Sequence, residues 1–172
     1  MATFVFSGFY DVPIETIKKG SRFVDDKTIK AAMKKGEDEW GKVLSKNGVY
    51  TFSIRAGKGR KPWYVGKSVK SNFGKEAFNT RNCLALSKLI NSRKGSLEVS
   101  FLSQQKVRGN PNLREISEIE YLLIGHAAER NSELLNKHNT NQDDTFEIKN
   151  IYNSGKKKPS KCEAEFIKLM GI

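Results

Sequence analysis

Apolar and polar positions alternate most regularly between residues 49 and 55. Val49, Thr51 and Ser53 fall on one face and Tyr50, Phe52 and Ile54 on the other. This period of two predicts a strand. Asn47-Gly48, just before it, is a turn signal. Residues 56–61 are Gly-rich and basic and predict a turn, and residues 62–67 predict a second short strand, so the pair reads as a hairpin. Residues 96–102 alternate again through Leu97, Val99 and Phe101, a third strand. Elsewhere the period lengthens. Residues 113–130 carry the stripe Ile116, Ile119, Leu123 and Ala127, with Asn110 and Asn112 as candidate caps, and predict a helix. Residues 72–91 predict another, with Glu76, Asn79, Cys83, Leu86 and Ile90 on one face. Residues 26–44 predict a third, with Ile29, Met33, Trp40 and Val43 as its spaced apolar positions.

The two ends are less regular. Phe4, Val5 and Phe6, with Phe9 and Tyr10, predict a short strand, and Pro13 with residues 14–20 a turn and a scrap of helix. Beyond Asn136 the chain turns polar; residues 146–152 are strand-like, 155–161 a basic loop and 163–170 a short helix. The order β-β-α-β-α predicts an α+β (mixed α/β) fold, a small three-stranded sheet flanked by helices. The expected organisation is a core at 47–140 with extensions at 1–46 and 141–172, all within a single globular unit.

Composition removes several classes of function. No apolar run approaches the roughly 18 residues of a membrane span. The first residues lack a basic n-region, and Asp11 interrupts their apolar stretch, so a cytoplasmic protein without membrane association is expected. Two distant cysteines, Cys83 and Cys162, predict neither a disulfide framework nor a zinc site. Oligomeric state is not legible.

Charge changes the picture more. The 172-residue chain has 31 Lys and Arg against 19 Asp and Glu, a net charge of +12. Residues 41–97 hold thirteen of the basic side chains and one acid, Glu76, and so carry the whole net charge. Tyr50, Phe52, Trp63 and Tyr64 are interleaved with it. A folded, basic, aromatic segment predicts a polyanionic partner, nucleic acid before any anionic membrane.

Some motifs fail on inspection. Gly66-Lys67-Ser68 lacks the earlier glycine of a phosphate-binding loop, because position 61 is Lys. His126 and His138 are not at metal-ligand spacing. A more specific constellation remains. Gly48-Val49-Tyr50 opens one strand of the hairpin and Tyr64-Val65-Gly66 closes the other. A helix, a strand and a second helix with Glu120-Tyr121-Leu122-Leu123-Ile124 follow. Leu134-Leu135-Asn136 ends the series, its Asn sixteen residues after Glu120. In this order and spacing, residues 47–137 resemble the GIY-YIG nuclease superfamily.

The resemblance implies a metal-dependent endonuclease that hydrolyses phosphodiester bonds of nucleic acid, DNA in the first instance, using Mg²⁺ or another divalent cation such as Mn²⁺. It implies that Tyr50 and Tyr64 line a pocket beside the ion, that Glu120 holds the ion, and that Asn136 supports the site. Helical geometry gives Glu120 independent weight: it lies about 40° from Ile116 and about 60° from Leu123, within the apolar stripe. A carboxylate there is costly unless paired or bound to a metal. The family also places an Arg on the first helix, and by spacing that slot is Glu76. On a continuous helix Glu76 points inward and Arg81 projects away. Three accounts follow. Lys67, Lys75 or a displaced Arg81 supplies the cation; Glu76 joins Glu120 as a second metal ligand; or the fold binds nucleic acid without cutting it. Lys58, Arg60, Lys61, Lys70, Lys75 and Arg81 are the expected contacts to the phosphate backbone. A basic protein-interaction module is the remaining alternative.

Overall fold

The computed structural model describes residues 3–17, 20–35, 40–105, 110–137 and 159–172, with residues 32–35 and 40 by backbone alone. In chain order the elements are β1 (Phe4–Asp11), β2 (Glu15–Thr16), β3 (Arg22–Phe23), α1 (Asp26–Lys35), α2 (Trp40–Leu44), β4 (Gly48–Ala56), β5 (Gly59–Ser68), α3 (Phe73–Glu76), α4 (Thr80–Ser92), β6 (Ser96–Gln104), α5 (Leu113–Arg130) and α6 (Lys161–Met170). The fold is α+β. One antiparallel sheet runs β1-β6-β4-β5, with helices on both faces. The alternation in β4 divides two cores. Tyr50, Phe52 and Ile54 pack with Ile29 of α1 and with Cys83, Leu86 and Ile90 of α4. Val49 packs on the other side with Ile116 and Leu123 of α5 and Phe166 of α6. Among the described residues no helix is long and apolar enough to cross a membrane.

Three features differ from the sequence pattern. The sheet has four strands, not three, because β1 pairs with β6 from Phe4↔Gln104 to Asp11↔Glu98. Periodicity finds a strand but does not reveal its distant partner. The expected helical scrap at 14–20 contributes instead Glu15–Thr16, which pairs with Arg22–Phe23. Of the helix predicted at 26–44, residues 26–35 (α1) and 40–44 (α2) are helical, and residues 36–39 lie outside the described residues. The helix predicted at 72–91 is broken between Glu76 and Thr80, because two asparagines each start a helix. The Asn72 carboxamide oxygen accepts from the Lys75 N–H, and that of Asn79, whose backbone is extended, accepts from the Asn82 N–H. Such caps outcompete helix continuation. The strand-like 146–152, the Lys156-Lys157-Lys158 run and His138 lie outside the described residues.

Two details of β5 matter for function. Phe52 faces Tyr64 while Ser53 faces Pro62, so Trp63 is an extra residue, a bulge. The bulge suspends the usual alternation, and Trp63 and Tyr64 both pack toward the α4 side. β5 is also an edge strand, and the chain after α5 covers it. The Leu135 N–H donates to the Trp63 carbonyl at 2.9 Å, and the Asn131 amide to the Pro62 carbonyl at 2.7 Å. An edge sealed in this way is closed to pairing with other strands.

The layers are also joined by charge. Glu98 of β6 is 4% exposed and receives the Arg55 and Arg60 Nε atoms, each at 2.6 Å. Arg60 reaches on to Glu165 of α6 and lies 4.1 Å from the centre of the Phe9 ring. Without Glu98, Arg60 keeps Glu165 and the exposed Arg55 keeps Asp11, so no charge is left buried alone. Glu98→Ala is therefore expected to lower stability by about 1.5–2 kcal/mol, the loss of charge-assisted hydrogen bonds, read from urea unfolding followed by circular dichroism. A change under about 1 kcal/mol would show that the arginines find other partners.

Candidate functional site

The site is built around two tyrosines on neighbouring strands. Tyr50 faces Gly66 across the β4–β5 pair, and a Cβ at Gly66 would lie 2.5 Å from the Tyr50 hydroxyl oxygen and 2.8 Å from the Tyr64 ring. Only glycine leaves that room, so the Tyr50 ring can stack on Tyr64 with centroids 6.1 Å apart and planes 24° apart. Gly48 has a different reason: its φ is +149°, and a Cβ would meet the Leu102 carbonyl oxygen at 2.0 Å. Phe52 and Phe73 meet Tyr50 edge-on and complete the aromatic wall.

The Tyr50 hydroxyl is buried and needs partners. It receives the Asn82 amide at 3.1 Å and lies 3.4 Å from the Glu76 carbonyl oxygen. The same Asn82 amide donates to the Glu76 and Ala77 carbonyls at 3.0 and 3.1 Å. These carbonyls are the orphaned C-terminal acceptors of α3. Burial, reinforced by Tyr64, pushes the Tyr50 hydroxyl far above the ordinary phenol range. Burial also raises Tyr64, with opposing contributions from its Tyr50 hydrogen bond and Arg81 and upward ones from Glu120 and Glu76. Both phenols are therefore neutral hydrogen-bond donors, not bases, at physiological pH.

The Tyr64 hydroxyl shares a hydrogen bond with Tyr50 and feels the charges of Glu120, Arg81 and Glu76. Glu120 comes from α5, Arg81 from α4 and Glu76 from the end of α3. Glu120 has an 18% exposed side chain and pairs with Lys67 of β5 at 2.8 Å. The Glu76 carboxylate accepts from the Ser71 hydroxyl at 2.7 Å. Among the described residues no group of three or more His, Cys, Asp or Glu gathers at one point. The chemistry of the donor set nevertheless suits a hard cation. Mg²⁺ accepts oxygen ligands, needs only one or two protein carboxylates and keeps its waters. Glu120 is one such carboxylate, held here by Lys67.

Several expectations need adjustment. The inward Glu76 and outward Arg81 assumed a continuous helix. With the break, Glu76 presents its carbonyl to Tyr50 and its carboxylate to Ser71, while Arg81, exposed in the first turn of α4, acts on Tyr64. Asn136 does not face the cleft. Its carboxamide pairs with both the N–H and the carbonyl of Val65, so it fixes the β5 edge behind Tyr64. Arg60 is 19% exposed and committed to Glu98 and Glu165, and so is not a backbone contact for a ligand. Lys61 is 46% exposed and 3.9 Å from Glu133. Lys58, Lys70, Lys75 and Arg81 are exposed and make no ion pair among the described residues. Asn82 was missed by the sequence pattern; the Asn79-x-x-Asn82 spacing, a cap followed by a polar first turn, was the available signal.

The buried phenol and thiol set a pH limit. The Cys83 thiol is pushed by burial to about 11 from an ordinary value of 9.0. Tyr50 is displaced upward from 10.0. The folded chain therefore retains protons that the unfolded chain releases, and stability present below pH 9 is lost as pH rises above it. Urea midpoints are expected to be flat in this respect from pH 7 to 9 and to fall beyond it. In Tyr50→Phe combined with Cys83→Ala the alkaline fall should be shallower; an unchanged slope would assign it to other groups. No family model, curated protein or solved structure matches the chain.

Proposed function

We propose that the protein is a metal-dependent endonuclease that hydrolyses phosphodiester bonds of DNA at a GIY-YIG-like site. The observation that carries this reading is the stacked pair Tyr50 and Tyr64, given room by Gly66, at the positions the resemblance assigns to the site. The charges of Glu76, Arg81 and Glu120 also act on Tyr64.

Each residue has a role that follows from its state. The neutral hydroxyls of Tyr50 and Tyr64 donate hydrogen bonds and orient a phosphate oxygen or the attacking water. Arg81, exposed at the rim, neutralises negative charge that builds on the phosphate in the transition state. Glu76, held by Ser71 and in no ion pair among the described residues, is the acceptor available for the proton of the water. Glu120 is the residue to hold Mg²⁺ or Mn²⁺. When bound, such an ion supplies Lewis-acid polarisation of the phosphate and stabilises the leaving oxygen. Thus the acid in the arginine slot need not signal a dead site: the cation is supplied one helix later, by Arg81.

One observation favours a second reading, a nucleic-acid-binding domain that does not cut. The Lys67 ammonium already neutralises Glu120 at 2.8 Å. Nicking of supercoiled plasmid separates the two. Cleavage is expected with Mg²⁺ or Mn²⁺ and to vanish with EDTA. Glu120→Gln and Arg81→Ala are each expected to lower the rate about 100-fold, and Tyr50→Phe about 10- to 100-fold. Salt-sensitive DNA binding without cleavage at either metal would establish the second reading instead.

A further inference from the structure

A second basic feature lies on the same face as the site, toward the β4–β5 turn. A hollow of about 360 Å³ is floored by Ile54 and Trp63 and rimmed by Lys61, Arg93, Lys94 and Glu133. Trp63 is the bulged residue, which is why it opens toward α4 beside Tyr64. Its ring is 5% exposed, so it offers no free face for stacking a base. It instead serves as a platform for cations. The Lys61 ammonium lies 5.2 Å and the Arg93 guanidinium 5.1 Å from the ring centre. Both distances are within the range of cation–π attraction. Glu133 pairs with Arg93 and lies 3.9 Å from Lys61, so one carboxylate holds both cations over the indole. Lys94 stands exposed beside them and makes no ion pair among the described residues.

We infer that this hollow is a second phosphate-binding subsite for the nucleic-acid strand that enters the Tyr64 site, an inference that rests on the nuclease reading. Of the four cations that line the hollow, Arg60 is held by Glu98 and Glu165; the other three against one carboxylate leave an excess of positive charge over an apolar floor, where water screens less and a phosphate is attracted more strongly. Glu133 acts as a stand-in anion: it keeps Lys61 and Arg93 arranged until a phosphate takes its place. Position gives the register. Lys61 faces Ile54 and Tyr64 faces Phe52, because the Trp63 bulge takes up one residue, so the two lie two strand steps apart, roughly 7 Å. That is the axial length of about two nucleotides of a duplex strand. The subsite therefore grips the backbone about two nucleotides from the phosphate at Tyr64, and it fixes register without reading sequence.

The test is fluorescence anisotropy with a labelled 20-base-pair DNA duplex across a salt series, with plasmid nicking run in parallel. The double variant R93Q/K94Q is expected to bind about tenfold more weakly at 100 mM salt and to lose about 1.5 from the log–log salt slope. K88Q/K168Q removes the same charge from exposed positions on α4 and α6 and is expected to stay within about twofold of the wild type. Glu133→Gln, which releases the cations, is expected to bind more tightly. R93Q/K94Q behaving like K88Q/K168Q, or wild-type protein that fails to bind DNA, overturns the subsite. Wild-type protein that binds but does not nick, with R93Q/K94Q still selectively weakened, overturns the nuclease reading and leaves the subsite standing.

Discussion

The structure around the site depends on one constraint: the Tyr50 hydroxyl is buried on a strand whose neighbours are aromatic, and it must still be hydrogen-bonded. Phe52 and Phe73 on its flanks offer no polar atom. The partners come from the break after α3. Ending that helix at Glu76 leaves carbonyls with no helical donor, and starting α4 four residues later, at Thr80, places the Asn82 amide against them. Tyr50, Glu76 and Asn82 thus satisfy one another. A continuous helix would consume the carbonyls internally and leave the phenol with Tyr64 alone as a partner, losing about 0.5–1.5 kcal/mol for each hydrogen bond. The same break sets Arg81 in the first turn of α4. One buried hydroxyl therefore links a packing requirement to the point where that helix begins.

Gly66 imposes the complementary constraint. The two rings can lie 6.1 Å apart only because no Cβ stands between them. The bulge at Trp63 then sets the direction of Tyr64, and the sealed edge of β5 holds that direction. Asn136, bonded at both ends to Val65, pins the residue immediately after Tyr64. Because β5 is the edge strand, its side chains can reach groups from both helical layers. That is how α4 supplies Arg81 while α5 supplies Glu120.

Much of this was legible in the sequence, and the parts that were not share a cause. Strands β4, β5 and β6 and helix α5 follow local periodicity, and the tripeptides at Tyr50 and Tyr64 flagged the two phenols and the glycine between them. Glu120 was visible as a carboxylate on an apolar stripe. The fourth strand was seen as a strand but not as a sheet member, since pairing Phe4 with Gln104 joins residues a hundred positions apart. The break at 77–79 was hidden because Glu76, Asn79, Cys83 and Ile90 fit one helical face as well as two helices do. The two asparagines that decide it are weak signals singly. The bulge went unread in a strand predicted as regular, although a proline inside a strand, here Pro62, points to an edge or an irregularity. The purpose of the bulge appears only with Trp63 and Tyr64 side by side.

Charge is where linear and spatial readings diverge most. In the sequence the excess lies wholly in residues 41–97, and the rest of the chain is neutral. In the fold, that neutral remainder supplies the counter-charges. Glu98 and Glu165 absorb Arg55 and Arg60, Glu120 holds Lys67, and Glu133 holds Lys61 and Arg93. These pairs divide by exposure. The Glu98 pair is buried, and opening it would expose the core. Glu120 and Glu133 are more exposed, at 18% and 51%, so that an incoming polyanion can compete for the same cations. On the proposed reading, binding is then an exchange of carboxylate for phosphate, not the gathering of mobile lysines. The side chains are already ordered over Trp63 and beside Tyr64, so less conformational entropy is lost on association. What the acids of α5 and its following turn contribute is therefore arrangement: they hold the cations of β5 in place at a modest cost in attraction.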